Sequence, residues 1–224
     1  MTPWTLLDRA RLPDSDEEIR LYQRGGEYAI RVANYELMNS RVHGSEEALA
    51  DLALARLSGR SGLRVLIGGL GLGYTLAAAL RGLDAHGLAV VAELVPAVVR
   101  WNRGPLAELA GRPLDDPRVR IVEDDVARVI RSERTGFDAI LLDVDTGPRA
   151  LTHEANRRLY DSAGLRAAHA ALRPRGVLAI WSGTADPAFT RRLRDAGFAT
   201  EEVRARARGE RGRAHYIVWV AQRA

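Results

Sequence analysis

Two kinds of residue in this sequence have the types and spacing that ligand chemistry needs: a cluster of glycines, and acids that follow apolar segments. The glycines stand between the apolar run at 65–67 and a segment rich in Ala and Leu, and they are Gly68, Gly69, Gly71 and Gly73. Glycine lets the backbone turn tightly and approach a ligand closely. A helix that begins after such a turn offers free N–H groups and the positive end of its dipole. The sequence therefore predicts a strand, a glycine turn and a helix, the first half of a nucleotide-binding βαβ unit.

The spacing of the glycines distinguishes between two classes of nucleotide site. The dinucleotide fingerprint is G-x-G-x-x-G, whereas Gly69, Gly71 and Gly73 form G-x-G-x-G followed by Tyr74. This spacing is more typical of folds that bind S-adenosylmethionine than of folds that bind NAD. The alternative interpretation is a glycine turn that serves only the close packing of a strand against a helix.

An acid follows the next segment that we predict to be a strand. Glu93 lies near the end of the apolar segment at 88–95, about 20 residues after the glycines, where an acid can accept hydrogen bonds from ribose hydroxyls. The alternative is that Glu93 caps the helix that begins near Pro96. Together with the glycine turn, this acid indicates a ligand that contains adenosine.

Further acids follow the third and fourth predicted strands. Asp124 and Asp125 come after the third, and Asp143 and Asp145 come after the fourth. Ligands of doubly wound sheets bind beyond the carboxyl ends of the strands, so we expect these acids and the glycine turn at one edge. Side chains alternate along a strand, so Asp143 and Asp145 point the same way if the strand continues. A turn-capping role is the alternative for Asp145.

The elements that must position these residues follow from apolar periodicity and turn residues. From residue 45 onward strands alternate with helices, and the last two strands, at 198–207 and 215–220, are expected to form an antiparallel pair. This order predicts an α/β fold with a Rossmann-like, doubly wound sheet of seven strands whose last strand is antiparallel. Before it, two strands around Gly25-Gly26 predict a small N-terminal β-hairpin appendage. We therefore divide the chain into an N-terminal region, 1–44, and a Rossmann-like transferase domain, 45–224.

Composition excludes several classes of site and partner. The chain has no cysteine, and its five histidines show no ligand spacing, so we predict no metal site. A net charge of +4 does not indicate a nucleic-acid partner. The N-terminus lacks the apolar core of a signal peptide, and no apolar run reaches the roughly 20 residues of a membrane span. We expect a cytoplasmic protein without a nucleic-acid or membrane partner.

Taken together, these residues resemble the spermidine synthase family of polyamine aminopropyltransferases, within the class I S-adenosylmethionine-dependent methyltransferase fold. The resemblance covers most of the chain, from about residue 22 to the last strand. The segments that carry it are VLIGGLGLG, VVAELVPAVV, DPRVRIVEDDVARVI, FDAILLDVDTGP and LYDSAGLRAAHAALRPRGVLAIW. It implies aminopropyl transfer from decarboxylated S-adenosylmethionine to a polyamine, a small-molecule amine acceptor. It also implies that the chain forms a homodimer.

The resemblance implies roles for the residues that face the cofactor, which is decarboxylated S-adenosylmethionine or S-adenosylmethionine itself as a co-substrate. The glycine loop, 68–73, holds its amino-acid or aminopropyl part, and Glu93 binds its ribose. Asp125, beside Asp124, binds the adenine amino group. Gln23, in a Tyr-Gln pair like that of the family, reaches the cofactor.

The resemblance also implies which residues act on the acceptor. Asp143 contacts the cofactor and deprotonates the attacking amine. The family's D-x-x-D-P becomes D-V-D-T-G-P in this chain, which moves the second acid one position closer, to Asp145. Paired acids suit a cationic substrate such as a polyamine.

Three departures from the family pattern keep other functions open. The family loop GGGDGG has lost its Asp, with Leu70 or a neighbour in its place, and the segment SRVHGSEE, 40–47, stands where the family has Tyr-His-Glu. The N-terminal β region is also shorter. These changes lie where the amine would bind. One alternative is a methyltransferase that uses S-adenosylmethionine to modify a small molecule, and a second is a non-catalytic homologue that binds the nucleoside only.

Overall fold

The chain folds into two β-sheets, the second of which is flanked by helices on both faces. The structure, a computed structural model, describes residues 2–13, 15–144, 157–210 and 215–224, without the side chains of 207–210 and 215. The first sheet is an antiparallel meander in the order β1-β2-β3-β4. Its strands are β1 (Thr5–Arg11), β2 (Glu18–Arg24), β3 (Glu27–Val32) and β4 (Tyr35–Asn39).

The second sheet has seven strands in the order β10-β11-β9-β8-β5-β6-β7. The strands are β5 (Arg64–Gly68), β6 (Leu88–Ala92), β7 (Val119–Val122), β8 (Phe137–Leu142), β9 (Leu172–Ser182), β10 (Phe198–Glu210) and β11 (His215–Arg223). All neighbours pair in parallel except β11, which is antiparallel to both β9 and β10. The predicted doubly wound sheet with an antiparallel last strand is confirmed.

Helices connect the strands. They are α1 (Gly44–Ala55), α2 (Tyr74–Gly82), α3 (Pro96–Arg103), α4 (Val126–Ser132), α5 (Arg157–Tyr160), α6 (Ser162–Ala171) and α7 (Pro187–Asp195), with a 3-10 turn at Pro113–Asp115. The chain leaves β5 toward β6 on one side and returns to β8 on the other. The carboxyl ends of β5 and β8 therefore form the crevice where doubly wound sheets bind ligands.

The N-terminal region is larger than the predicted hairpin, because β1 and β4 extend it to four strands. No glycine marks the turn between β3 and β4. Ala33 adopts the left-handed conformation there, with φ +49°, which is rare for a residue with a side chain. This turn is therefore invisible to a search for glycine turns.

The local sequence explains two helix boundaries. Helix α3 ends at Arg103, because Gly104 leaves the helical conformation and Pro105 follows it. Helix α1 begins at Gly44, with His43 in the capping position. The Ser45 hydroxyl donates to the carboxylate of Glu46 over 2.6 Å.

The two sheets share one hydrophobic cluster. Ile19 and Ile30 of the N-terminal sheet belong to the same buried cluster as Val95, Val98 and the inner residues of the second sheet. Burial of apolar area at about 25 cal/mol per Å² holds the N-terminal sheet across the carboxyl edge of the second. The ligand edge is therefore covered, not open.

Candidate active site

Two adjoining cavities lie at the carboxyl edge of the second sheet, beneath the N-terminal sheet. The larger, of about 140 Å³, is walled by apolar residues of the N-terminal sheet and by the glycine loop. The smaller, of about 40 Å³, lies toward α1 and β9. Leu37, Met38, Gly71 and Asp143 line both cavities and form the boundary between them.

Glu93 lies in the wall of the larger cavity, 7% exposed. Its Oε2 accepts the N–H of Leu70 and its Oε1 accepts the N–H of Val95, each over 2.8 Å. Burial raises the pKa of this carboxyl, and the N–H donors oppose that shift. Glu93 thus fixes the glycine loop from the wall of the cavity.

Two glycines of the loop, Gly69 and Gly71, line the larger cavity. Gly69 has φ +87°, and a Cβ there would lie 2.5 Å from the carbonyl oxygen of Asp143. Gly71 has φ +52°, and its Cβ would lie 2.9 Å from the sulfur of Met38. Gly69 therefore excludes a side chain because it meets backbone, whereas at Gly71 the flexible end of Met38 can shift and the left-handed φ is the remaining constraint.

The other two predicted glycines are not among the residues that line the cavities. A Cβ on Gly68 would lie 2.9 Å from a methyl of Val126. Gly73 caps α2 with φ +87°, and its Cβ would lie 3.0 Å from the amide oxygen of Asn102. These two positions serve the packing of β5 and α2 against their neighbours.

Asp125 lines the larger cavity and also caps α4, where its Oδ1 accepts the N–H of Ala127 over 2.8 Å. Asp124 is not among the lining residues. Its Oδ1 accepts the N–H of Asp125 over 2.7 Å and forms a 3.3 Å ion pair with Arg128. Of this pair, only Asp125 is brought to the cavity.

Gln23 also stands away from the other candidates. Its side-chain amide, at the end of β2, donates to the carbonyl of Gly25 over 3.0 Å and to the hydroxyl of Tyr28 over 3.2 Å. It is not among the described residues that line either cavity. Asp145, the second predicted catalytic acid, lies outside the described residues.

Asp143 stands at the boundary of the two cavities, directly after β8. The Thr75 hydroxyl donates to its Oδ2 over 2.6 Å. Burial raises the pKa of Asp143 to about 6. No cation of the described residues contributes to that shift, so the carboxyl can accept a proton near neutral pH.

The smaller cavity contains an acid that the sequence prediction missed, Glu46, in the first turn of α1. Burial, and then the negative charge of Asp143, raise the pKa of Glu46 to about 7. Tyr74 and Trp181 supply aromatic walls. The signal in the sequence is the position of Glu46 within 40–47, the segment that departs from the family pattern.

The arrangement combines an apolar cavity whose wall contains acids with a smaller cavity containing a proton-accepting pair. The larger cavity can hold a nucleoside, because apolar walls suit a base and the acids of the rim suit hydroxyl and amino groups. Within the described residues, no group of three or more possible ligands is arranged for a metal ion. No helix in the described part of the chain is long and apolar enough to span a membrane.

Curated proteins that are similar in sequence to this chain are polyamine aminopropyltransferases. The chain is 30% identical over 192 residues to the polyamine aminopropyltransferase of Mycobacterium tuberculosis, covering 82% of this chain and 34% of the relative. It is 29% identical over 198 residues to polyamine aminopropyltransferase 1 of Streptomyces coelicolor, covering 84% of this chain and 34% of the relative. The chain thus spans about a third of the length of these curated relatives. No family model matches it.

Solved structures show the same fold. Spermidine synthase from Thermotoga maritima superposes with a TM-score of 0.76 at 20% identity, over 98% of this chain and 73% of that one. A spermidine synthase in complex with the transition-state analogue AdoDATO gives a TM-score of 0.75 at 19% identity, over 98% and 72%. The resemblance predicted from the motifs is confirmed: the chain is related in sequence to polyamine aminopropyltransferases and has the spermidine synthase fold.

Proposed function

We infer that this relative of the polyamine aminopropyltransferases is a transferase that moves an aminopropyl group from decarboxylated S-adenosylmethionine to an amine. The observation that carries the proposal is Asp143, a carboxyl with a raised pKa, at the boundary between a cavity whose lining suits a nucleoside and a second, acidic cavity. The names of the relatives support the same chemistry.

In the proposed reaction the carboxylate at Asp143 receives a proton from the acceptor's ammonium group. The freed lone pair then attacks the aminopropyl carbon next to the positively charged sulfur. A carbon–nitrogen bond forms, the carbon–sulfur bond breaks, and its electron pair returns to sulfur as the neutral thioether methylthioadenosine. The protein's contribution is to hold the two reactants in line and to take the proton.

The nucleoside part is proposed to occupy the larger cavity. Glu93 and Asp125 both line this cavity, Glu93 as the acceptor for the ribose hydroxyls and Asp125 as the acceptor for a base amino group. Gly69 and Gly71 leave the loop backbone open toward the sulfur and the chain attached to it. We retain Gln23 and Asp124 only as predictions, because neither lines the cavity.

The charge of the cavities favours the decarboxylated co-substrate. Among the described residues that line them, four are acidic and none is basic. An aminopropyl tail carries only a positive charge, whereas the tail of S-adenosylmethionine also carries a carboxylate that repels these acids. This distribution supports aminopropyl transfer over methyl transfer.

One observation favours a small-molecule methyltransferase as the second candidate. Leu70 or a neighbour stands in the loop where the family pattern has an acid, and the leucines of the loop, Leu70 and Leu72, are each 4% exposed within the core. The loop therefore offers no carboxylate to the terminal amine of an aminopropyl tail. Against this candidate, Glu46 supplies negative charge to the smaller cavity, which Gly71 of the loop also lines.

The test is to incubate the protein with 1,4-diaminobutane and either decarboxylated S-adenosylmethionine or S-adenosylmethionine. We expect methylthioadenosine and an aminopropylated amine from the first mixture only. Formation of S-adenosylhomocysteine from the second mixture would instead identify a methyltransferase. Tight binding of methylthioadenosine without turnover of either co-substrate would identify the non-catalytic homologue.

Substitution of Asp143 tests the proton-accepting step. Asp143→Asn keeps the size of the side chain but removes its charge, and we expect turnover to fall by roughly 10²–10⁴-fold, the usual contribution of a positioned acid–base group. Methylthioadenosine affinity, measured by calorimetry, should change little. Asp161→Asn is the matched control, because Asp161 caps α6 and lines neither cavity. Near-normal turnover in Asp143→Asn would refute the mechanism.

A further inference from the structure

The smaller cavity contains a second carboxylate, that of Glu46, in surroundings that suit a bound cation. Glu46 and Asp143 both line it. Thr75 links the two: its hydroxyl donates to Asp143 Oδ2 over 2.6 Å and lies 3.3 Å from the backbone carbonyl of Glu46. Two enclosed acids that face each other without a positive partner repel, unless a proton or a bound cation lies between them.

The described groups around Glu46 supply hydrogen bonds and negative charge, but no cation. Ser45 donates to its Oε2, Asp143 faces it from the end of β8, and Glu47 adds negative charge from the same helix. Tyr74 approaches from α2 and Tyr216 from β11, and burial, followed by the charge of Glu46, raises the pKa of each phenol. An ammonium group would relieve all of these repulsions.

Glu47, the neighbouring acid, is directed elsewhere. Its Oε1 lies 3.3 Å from Nδ1 of His43, whose ring stacks on Tyr74 with centroids 4.1 Å apart. Glu47 is not among the described residues that line either cavity. Of the two acids that open α1, only Glu46 is therefore available to a ligand of the smaller cavity.

The walls of the cavity are aromatic and apolar. Trp181 and Tyr74 line it together with Leu37 and Leu72. Tyr216 packs against Trp181 with ring centroids 4.9 Å apart. Aromatic faces attract ammonium groups, and apolar side chains accommodate methylene carbons. The cavity is therefore suited to a compact alkyl amine.

We propose that Glu46 is the second acid of the acceptor site, and that it holds the acceptor's ammonium group together with Asp143. The assignment rests on the proposed function for the reaction, and it adds the residue from α1 that determines which acceptor binds. Binding of the cation expels the proton that the two acids share. The acids are then ionised, and Asp143 can take the proton of the ammonium when the amine attacks.

The experiment is calorimetric titration of the protein, saturated with methylthioadenosine, with 1,4-diaminobutane in buffers of different ionisation enthalpy. At pH 6.5 the wild type should release about one proton per amine bound, and at pH 8.5 close to none, because the pair is already ionised. Glu46→Gln should release only a fraction of a proton at pH 6.5. It should also bind the amine about 10–150-fold more weakly at pH 8.5, the loss expected for a hydrogen bond to a charged group.

Control variants distinguish the loss of the Glu46 charge from a loss of folding. Glu47→Gln, one residue along the same helix, should stay close to the wild type in both proton release and affinity, because Glu47 is the smallest of the causes that shift the pKa of Glu46. Glu46→Asp retains a carboxylate and should retain proton release at pH 6.5 even where the shorter side chain weakens binding. Circular dichroism of each variant checks that α1 is formed.

Two results would overturn the assignment: equal amine affinity and proton release in Glu46→Gln and wild type, or no binding of the diamine to the wild type. Failure of the proposed function is distinguishable from either result. If the wild type binds the diamine with proton release but transfers no aminopropyl group, the cation site is supported and the transferase function is refuted. If the wild type transfers the group and Glu46→Gln has the same amine affinity and proton release, the transferase function is supported and the role of Glu46 is refuted.

Discussion

Individual carboxyl groups in this molecule fall into two electrostatic classes. A surface acid such as Glu133 has an arginine partner, and the hydrogen bond from Arg64 lowers its pKa. Glu46, Glu93 and Asp143, at the ligand edge, have no such partner among the described residues, and burial raises the pKa of each. Binding sites commonly retain such unfavourable arrangements, because the missing charge belongs to the ligand.

Glu46 and Asp143 should make the stability of the protein depend on pH. The pKa of each is higher in the folded protein, about 7 and about 6, than the ordinary values of 4.5 and 3.8. Between about pH 4 and 7 the folded state therefore binds more protons than the unfolded state, and these acids reduce stability as the pH rises. Glu46→Gln removes part of this loss, so we expect the variant to be more stable than wild type at pH 8 by about 1–3 kcal/mol.

Urea unfolding at pH 5 and pH 8 measures this effect as a difference between the two proteins. The difference in the free energy of unfolding between variant and wild type should increase with pH across that interval. A constant difference would show that Glu46 has the same pKa in both states. Comparison with the variant removes the contributions of other acids, such as Glu93, from the measurement.

At the scale of elements, neighbouring glycines of the loop have two different structural roles, lining the cavity and allowing close packing. Gly69 and Gly71 bring the backbone to the cavity, whereas Gly68 and Gly73 allow β5 and α2 to pack closely. The two interpretations of the glycine turn, ligand approach and packing, therefore each apply to part of the loop. Alanine substitutions at Gly69 and Gly59 distinguish the cost of the left-handed backbone conformation from the cost of a steric clash.

Gly69→Ala should destabilise the fold more than the same substitution at Gly59. Gly59 has φ +81° and open space within 4 Å of the position that a Cβ would take, so alanine there adds only left-handed strain, about 1–2 kcal/mol. Gly69 has φ +87° and the carbonyl oxygen of Asp143 at 2.5 Å, so alanine also forces the two segments apart, at an additional cost of about 1–3 kcal/mol. Urea unfolding of both variants gives the comparison, and equal losses would contradict the close approach.

Sequence reasoning located the residues whose positions follow from sheet topology. Glu93 and Asp143 each follow a buried parallel strand, and the order of strands brings both to one edge. Gln23 and Glu46 belong instead to elements outside that parallel core, a hairpin and a helix. Their positions depend on how those elements pack across the sheet, which local periodicity does not specify. The register of β2 directs Gln23 toward its own turn, and the packing of α1 directs Glu46 into the smaller cavity.

On the scale of the whole molecule, charge is compensated at one end of the sheet and left open at the other. Asp138, near the start of β8, is buried and accepts from Arg60, Arg173 and the N–H of Arg64 over 2.5, 2.7 and 2.9 Å. Asp143, at the opposite end of the same strand, has a hydroxyl partner, and no cation in the described part of the chain is among the groups that shift its pKa. The fully paired end stabilises the sheet, and the open end is available to a ligand.

Ligand binding should stabilise both sheets, because the larger cavity is built from both. Ile19, Ile30 and Val32 of the N-terminal sheet face it across from Glu93 and the glycine loop. Methylthioadenosine at 100 times its dissociation constant stabilises the bound form by about 2.7 kcal/mol. We therefore expect slower hydrogen exchange in β2 and β3 as well as at 68–73, measured by mass spectrometry. The local exchange of α7, which lines neither cavity, should be unchanged. Protection confined to the second sheet would mean that the N-terminal sheet is not part of the nucleoside site. Met38 of β4, which lines both cavities, would then not bound the acceptor site either.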